Sequence, residues 1–275
     1  MSINYKELKD TLLTRRSIRT YGNVYPTEQQ VSEIRSFIEI LNQMTEPFHQ
    51  KCRFVLQTED FYGIKTFGFI TGCKYWIYGV IPRNNPDALK QYGFLFELLL
   101  LKCTQMNLGT VWLGGTFTTS SFTAIEYDSS KEYIPCVSPV GVDGKGMELL
   151  SKIMGARKRK EWKTMFFDET FEKSLTKENV KEPFTEFMFE AMRFAPSARN
   201  VQEWKIVVEG KNVHFFGEVV GNFHEVDLGI CIANGYVAFI SGELKGNLVK
   251  KDEMEIREKV KAPKELEYFI SFVLE

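Results

Sequence analysis

The chain has 275 residues, enough for one large domain or two domains of ordinary size. Hydrophobic residues make up 44% of it, which is ample for a core and excludes global disorder. The 35 basic and 36 acidic residues give a net charge of −1, so electrostatics offer no case for a nucleic-acid partner.

The cysteines and the apolar segments exclude further classes of protein. The five cysteines are scattered, odd in number and never spaced C-x-x-C, which argues against a disulfide framework and against a zinc site. The first ten residues are charged, and the longest apolar run, Phe94–Leu101, contains Glu97. Neither a leader peptide nor a bilayer span is indicated. We therefore expect a soluble, cytoplasmic protein with no metal and no membrane partner.

The first part of the chain predicts a helix and two strands. Thr27 and Gln30 follow Pro26 in a capping-box pattern, which predicts a helix to about Leu41. The runs KCRFVLQTE and KYWIYGVI are typical of strands.

The next part predicts a buried helix, a third strand and a basic run. The apolar run GFLFELLLLKCTQM, from Gly93 to Met106, predicts a helix that ends near Asn107. The run YIPCVSPVGV predicts a strand, and GMELLSKIM predicts a short helix before the basic residues of ARKRKEW. Residues 167–183 are charged and predict an exposed connector.

After this connector the same order of elements restarts. The helix EFMFEAMRF, the loop APSARNVQE and the strand KIVVE match the helix, loop and strand of the first half. The long helix of the first half is matched by DLGICIANGYVAFISGEL, and LEYFISFVLE resembles KEYIPCVSPV. This order favours an internal duplication, with halves at residues 1–182 and 183–275, over a chance similarity of generic helix–strand units.

Three stretches carry residues suited to binding. Three arginines and a serine follow the first helix, and guanidinium groups match phosphate oxygens bidentately. A solvated helix end is equally compatible with them. The stretch LGTVWLGG either lets backbone N–H groups approach a ligand or forms a tight turn. The basic run after it is either a solvated face or a second contact for the same phosphate.

The loop that follows the helix EFMFEAMRF is unusually polar. Pro196 ends the helix, and Ser197, Arg199, Asn200 and Gln202 follow it. From these residues alone, a capped turn is favoured over a loop that grips a planar, hydrogen-bonding ligand. Neither G-x-G-x-x-G nor G-x-x-x-x-G-K-[ST] occurs, so Rossmann and P-loop nucleotide binding are not indicated.

Taken together, RRSIRTY, LGTVWLGG and APSARNVQEW resemble the motifs of the FMN-dependent nitroreductase family. In that family the APSA loop precedes the glycine motif, whereas here it comes last. The resemblance therefore implies two fused nitroreductase-like halves, each keeping what the other has lost. It also implies an α+β fold with a central mixed or antiparallel sheet flanked by helices. The chain would be a pseudo-dimer able to act as a monomer, and further oligomers stay open.

The resemblance also implies a role for each motif residue. Arg15, Arg16 and Ser17 would hold the FMN phosphate from one side, and the basic run would hold it from the other. Arg19 would lie near the pyrimidine end of the flavin ring. The remaining contacts implied for FMN are Leu113, Gly114, Gly115, Arg157, Lys158, Arg159, Pro196, Ser197, Asn200 and Gln202.

The activity implied by the resemblance is a two-step reduction. NADH or NADPH would pass a hydride to the flavin, and an electron-poor acceptor such as a nitroaromatic or a quinone would then receive it. Two alternatives stay open: a flavin carrier or sensor without turnover, and a structural module of the same fold without flavin.

Overall fold

The fold consists of two α+β units drawn from different parts of the chain. The computed structural model describes residues 3–58, 66–144 and 158–275. The first unit comprises residues 1–3 and 14–157, and the second comprises residues 4–13 and 158–275. A short 3-10 turn, Tyr5–Leu8, and the four-residue helix α1, Thr11–Thr14, open the described chain.

The first unit is built on an antiparallel sheet with the strand order β1-β2-β5-β3, and β4 pairs with β2 beside this path. In chain order its elements are α2 (Glu28–Gln43), β1 (Arg53–Thr58), β2 (Tyr75–Pro82), α3 (Pro86–Gln105), β3 (Gly109–Thr110), β4 (Glu132–Tyr133) and β5 (Val137–Gly141).

Two of the predicted helices of this unit are present, and one of them is longer than predicted. The capping box at the start of α2 is confirmed, since Thr27 and Gln30 exchange backbone and side-chain hydrogen bonds. Helix α3 begins at Pro86 rather than at Gly93, because Asn85 caps it and accepts a bond from the Ala88 N–H. The third predicted strand is divided into β4 and β5, and the predicted helix GMELLSKIM lies outside the described residues.

Helix α3 packs closely on the sheet through Tyr92. The Tyr92 hydroxyl accepts a hydrogen bond from the Gly79 N–H at 3.1 Å and donates one to the Cys136 carbonyl at 2.5 Å. Gly79 faces Phe54 across β1 and β2, and a Cβ atom on Gly79 would lie 2.5 Å from the Phe54 ring. The absence of a side chain on Gly79 leaves room for the rings of Phe54 on β1 and Tyr92 on α3 to pack against β2.

The second unit contains a mixed sheet with the strand order β6-β7-β8-β10-β9, in which only the β6–β7 pair is parallel. Its elements are β6 (Phe166–Asp168), α4 (Glu186–Phe194), β7 (Trp204–Glu209), β8 (Asn212–Glu218), α5 (His224–Ser241), β9 (Gly246–Val249), α6 (Glu253–Lys259) and β10 (Leu266–Leu274).

The segment predicted as an exposed connector is partly built into this second unit. Its start lies in β6, which pairs with β7, and Leu175 is buried. Phe166 packs edge-on against Phe189 of α4 at 5.3 Å between ring centroids. Burial of these apolar groups holds the segment against α4 and β7. The units accordingly divide after Arg157, whereas the sequence placed the boundary after Glu182.

The two units repeat one succession of elements. Each has two antiparallel strands followed by a long buried helix, α3 or α5, and then the remaining strands. The strand order β1-β2-β5-β3 of the first sheet matches β7-β8-β10-β9 of the second. The predicted α+β fold with an internal repeat is confirmed.

The described residues also bear on membranes, metals and thiols. No helix among them has the length and apolar character needed to cross a membrane. Within the same ranges, no group of three or more His, Cys, Asp or Glu residues is arranged to hold a metal ion. All five cysteines are buried free thiols.

Candidate functional site

The arginine motif lies beside strand β3 in the first unit. The Ile18 N–H donates to the Thr110 carbonyl at 2.9 Å, and Ser17 forms a parallel bridge with Thr110. A Cβ atom on Gly109 would lie 2.7 Å from the Ile18 side chain. Gly109 therefore permits the close approach that makes RRSIR and LGTVWLGG neighbours.

The Arg15 side chain is nearly buried and is not part of a solvated helix end. Its side chain is 6% exposed, and its Nε lies 3.5 Å from Oε1 of Glu97, whose side chain is fully buried. The other carboxylate oxygen of Glu97 accepts a hydrogen bond from the Trp112 indole N–H at 2.8 Å. Among the described residues, Arg15 Nη1 is buried and has no acceptor. The Nη1 amino group is therefore available to donate to a ligand.

The other two arginines of the motif have different surroundings. The Arg16 side chain is 54% exposed and donates to Asp143 at 2.7 Å. Arg19 is half-buried, burial lowers its pKa, and its carbonyl accepts a bond from the Thr71 N–H at 3.0 Å. Arg15 is thus the arginine whose charge is most completely removed from water.

The glycine motif begins in the core and ends at the surface. The Leu113 N–H donates to the Val137 carbonyl at 3.0 Å, and the Leu113 side chain is buried in the core. Gly114 is half-buried, and Gly115 is exposed with no atom within 4 Å of the position of a Cβ. Leu113 anchors the motif, while the two glycines after it reach accessible space.

The APSARNVQEW loop of the second unit is held in an unusual backbone conformation. Arg199, Asn200 and Gln202 have φ angles of 51°, 60° and 51°, a region that residues other than glycine rarely adopt. Such conformations persist where the surrounding contacts enforce them, and they are frequent at functional sites. The Gln202 N–H donates to the Ser197 hydroxyl at 3.0 Å, which closes the loop on itself.

Asp227 anchors the same loop. Both of its carboxylate oxygens accept from the Ala198 N–H, at 3.1 and 2.9 Å. Asp227 is 3% exposed, and burial raises its pKa to about 8. Glu203 is also buried, and burial together with the nearby Glu218 raises its pKa. Two carboxyl groups therefore have raised pKa values here: Glu203 within the loop and Asp227, which holds it.

The loop also fixes the basic run. The Asn200 and Gln202 amides donate to the Lys158 carbonyl at 2.9 and 3.2 Å, and the Gln202 amide oxygen accepts from the Lys160 N–H at 3.0 Å. The Arg159 guanidinium donates to Asn200 at 3.3 Å. Gln202 is buried, so its side chain organises the loop from inside. Arg157 lies outside the described residues.

Two residues that build these segments were not singled out by the sequence. Glu97 was recognised only as an interruption of an apolar run, and Asp227 only as a member of an apolar helix. The available signal was the same for both: an acidic residue at a position where its helix is otherwise buried. Such a carboxylate requires a partner, and here the partners are the motif segments.

A protein-family model described as "Putative TM nitroreductase" matches residues 7–238 of the chain. The chain belongs to this nitroreductase family. A search among curated proteins gives no match.

The likeness to one solved structure agrees with this membership at the level of the fold. A putative nitroreductase from Thermotoga maritima is 17% identical, with a TM-score of 0.62 and coverage of 100% of this chain and 95% of that one. A putative nitroreductase from Desulfovibrio desulfuricans, in complex with FMN, is 19% identical with a TM-score of 0.39 over 53% of this chain and 89% of its own.

In this chain the motif segments are distributed between the units. The first unit contains the arginine motif and the glycine motif, which meet at Gly109 and Ile18. The second unit contains Lys158, Arg159 and the APSARNVQEW loop, joined by the amides of Asn200 and Gln202. Each unit has therefore organised its own motif residues by direct contacts.

Proposed function

We propose that this nitroreductase-family chain is an FMN-dependent oxidoreductase that uses NADH or NADPH to reduce electron-poor small molecules such as nitroaromatics and quinones. Bound FMN would supply the hydride chemistry, while the protein positions the flavin and sets its electrostatic environment. Family membership and the organised motif segments support this proposal.

The observation that carries the proposal is the state of Arg15. A buried guanidinium N–H without an acceptor is costly, and an anionic oxygen would satisfy it with a strong, charge-assisted bond. Ser17 follows two residues later on the segment held by Thr110 and adds a hydroxyl. A buried cation and a hydroxyl on one fixed segment fit a phosphate group chemically.

The other motif residues take the following proposed roles. Arg16 adds positive charge near the phosphate, and Arg19 stabilises negative charge at the pyrimidine end of the ring. Gln202 holds the loop and the basic run in place. The further contacts proposed for FMN are Leu113, Gly114, Gly115, Lys158, Arg159, Pro196, Ser197 and Asn200.

One complete set of motifs per chain implies one FMN per chain. The arginine motif is missing from residues 183–275, and an APSA-type loop is missing from residues 1–182. The two nitroreductase-like halves would form a pseudo-dimer within one chain that is able to act as a monomer. Five free cysteines without a disulfide are compatible with a cytoplasmic location.

The purified protein tests this function directly. It should be yellow, should release about one FMN per chain on denaturation, and should bleach when NADH or NADPH is added without oxygen. Bleaching should reverse on addition of a quinone. A yellow protein that neither nucleotide bleaches would be a flavin carrier or sensor, and a colourless protein that binds no added FMN would refute the proposal.

A further inference from the structure

Glu97 joins the two motif segments of the first unit. It projects from the buried helix α3, and each of its carboxylate oxygens contacts a different segment. One oxygen lies 3.5 Å from Arg15 Nε, and the other accepts from the Trp112 indole N–H at 2.8 Å. Trp112 belongs to the glycine motif, so one side chain connects both motifs.

Because the Arg15 side chain is nearly buried, its contact with Glu97 determines where the guanidinium lies. An arginine side chain has several freely rotating bonds, and in water its head would sample many positions. Here the Arg15 side chain is 6% exposed, so water cannot replace the carboxylate as its partner. Because Nε lies 3.5 Å from the Glu97 carboxylate, the rigid plane of the guanidinium restricts where Nη1 lies, and Nη1 has no acceptor among the described residues.

The other side of the carboxylate is fixed as well. The Trp112 ring packs edge-on against Phe96 of α3, at 4.9 Å between centroids. If Glu97 turned away from Arg15, the partly buried indole N–H of Trp112 would lose its hydrogen bond. The helix, the tryptophan and the carboxylate together form a rigid support beneath the arginine.

We propose that Glu97 is a positioning residue for phosphate recognition: it holds the Arg15 guanidinium so that Nη1 faces the phosphate of the flavin. This inference rests on the proposed FMN function and deepens it. It assigns to a residue in none of the motifs a role in distinguishing phosphorylated from unphosphorylated flavin.

A second effect of Glu97 would change the affinity for phosphate in the opposite direction, so a variant can distinguish the two effects. Glu97 is negative, so it repels an anion bound to Arg15, and neutralising it would strengthen phosphate binding by Coulomb's law alone. If positioning dominates, removal of the charge weakens binding. If repulsion dominates, removal strengthens it.

The variant Glu97→Gln separates these effects because it preserves the shape of the side chain and an acceptor for Trp112. Dissociation constants are measured by quenching of flavin fluorescence for FMN and for riboflavin, which lacks the phosphate. We expect FMN to bind about tenfold more weakly to the variant and riboflavin to bind almost unchanged. Glu33→Gln is the matched control, because Glu33 is a half-exposed partner of Lys102 in the same unit.

A second pair of variants shows whether Glu97 acts through Arg15. In an Arg15→Ala background, Glu97→Gln should cause no further loss of FMN affinity, since the group that it positions is gone. Trp112→Phe retains the Glu97 charge and removes one of its two anchors. Trp112→Phe should weaken FMN binding several-fold, and it replaces Glu97→Gln as the test if the glutamine variant does not fold.

The outcomes also separate this inference from the proposed function. If the native protein binds neither FMN nor riboflavin, the proposed function fails. If it binds FMN more tightly than riboflavin but Glu97→Gln leaves that preference unchanged or increases it, only the positioning role is overturned. Equal loss for both flavins would likewise overturn it, because that pattern indicates a general loss of structure.

Discussion

The two long buried helices, α3 and α5, each contribute one buried acidic side chain to the motif segment of their own unit. Glu97 of α3 meets the guanidinium of Arg15 and the indole of Trp112. Asp227, in the first turn of α5, meets the backbone N–H of Ala198. The repeated fold thus uses one device twice, a carboxylate in a buried helix that holds a binding segment.

The difference between the two acids lies in the charge of their partners. Glu97 has a cation beside it, and the pair is neutral as a whole. Asp227 accepts from a backbone amide and has no cation as its partner among the residues that the structure describes; burial, together with the charge of Glu203, raises its pKa to about 8. The first contact therefore depends on keeping both charges together, and the second depends on pH.

The largest effect should come from Glu97→Leu. This change leaves the buried Arg15 cation unpaired, which costs about 3–5 kcal/mol in the free energy of unfolding. Asp227→Leu leaves only one amide unsatisfied and should cost about 1–3 kcal/mol. Urea unfolding of both variants at neutral pH measures the difference.

The double variant Arg15→Met with Glu97→Leu is the control for this explanation. It replaces both charges with apolar groups, so it should recover most of the stability lost by Glu97→Leu. If the double variant is as unstable as the single one, the loss arises from packing against α3 and not from the unpaired charge.

The next effect is the pH dependence set by Asp227. Its folded pKa, about 8, lies above the ordinary value of 3.8, so the folded chain retains a proton that the unfolded chain loses. The contribution of protonated Asp227 to the free energy of unfolding is fully present below about pH 4 and is lost as the pH rises to about 8. The free energy of unfolding should fall over this interval by at most about 1.4 kcal/mol per pH unit.

Asp227→Asn should remove this slope while keeping an oxygen for the Ala198 N–H. The comparison is cleanest between pH 6.5 and about 8. Burial lowers the pKa of His214 from 6.5 to about 4, so below pH 6.5 His214 makes stability rise with pH while Asp227 makes it fall. A native protein and an asparagine variant with parallel pH profiles over that interval would contradict the raised pKa of Asp227.

Sequence patterns predicted the elements whose signals are local. The capping box of α2 and the apolar run of α3 determine helices through nearby contacts. The early start of α3 was missed, although Asn85 and Pro86 form an N-terminal signal. Strand β6 was missed because only three residues form it, and its pairing with β7 bridges a long stretch of chain.

The sequence predicted the motifs better than it predicted the buried acidic residues that hold them. The arginine, glycine and APSA-type motifs are short and recognisable, and family membership agrees with them. Glu97 and Asp227 lie in helices, far along the chain from the segments that they hold. No local pattern states which buried acid contacts which segment, because that information depends on the packed fold.

The smallest effect should come from Ser197→Ala, which tests how the second unit holds its left-handed loop. The Ser197 hydroxyl accepts from the Gln202 N–H at 3.0 Å, and Gln202 has a φ of 51°. Loss of this bond should cost about 1 kcal/mol, which raises the population of the open loop about fivefold. Arg199 is exposed in the loop, so the rate of trypsin cleavage after Arg199 reports that opening.

Ser174→Ala, which removes an exposed hydroxyl contact at 3.0 Å in the same unit, should leave the rate unchanged. An equal rate in the native and Ser197→Ala proteins would mean that Asp227 and the basic run hold the loop without the serine.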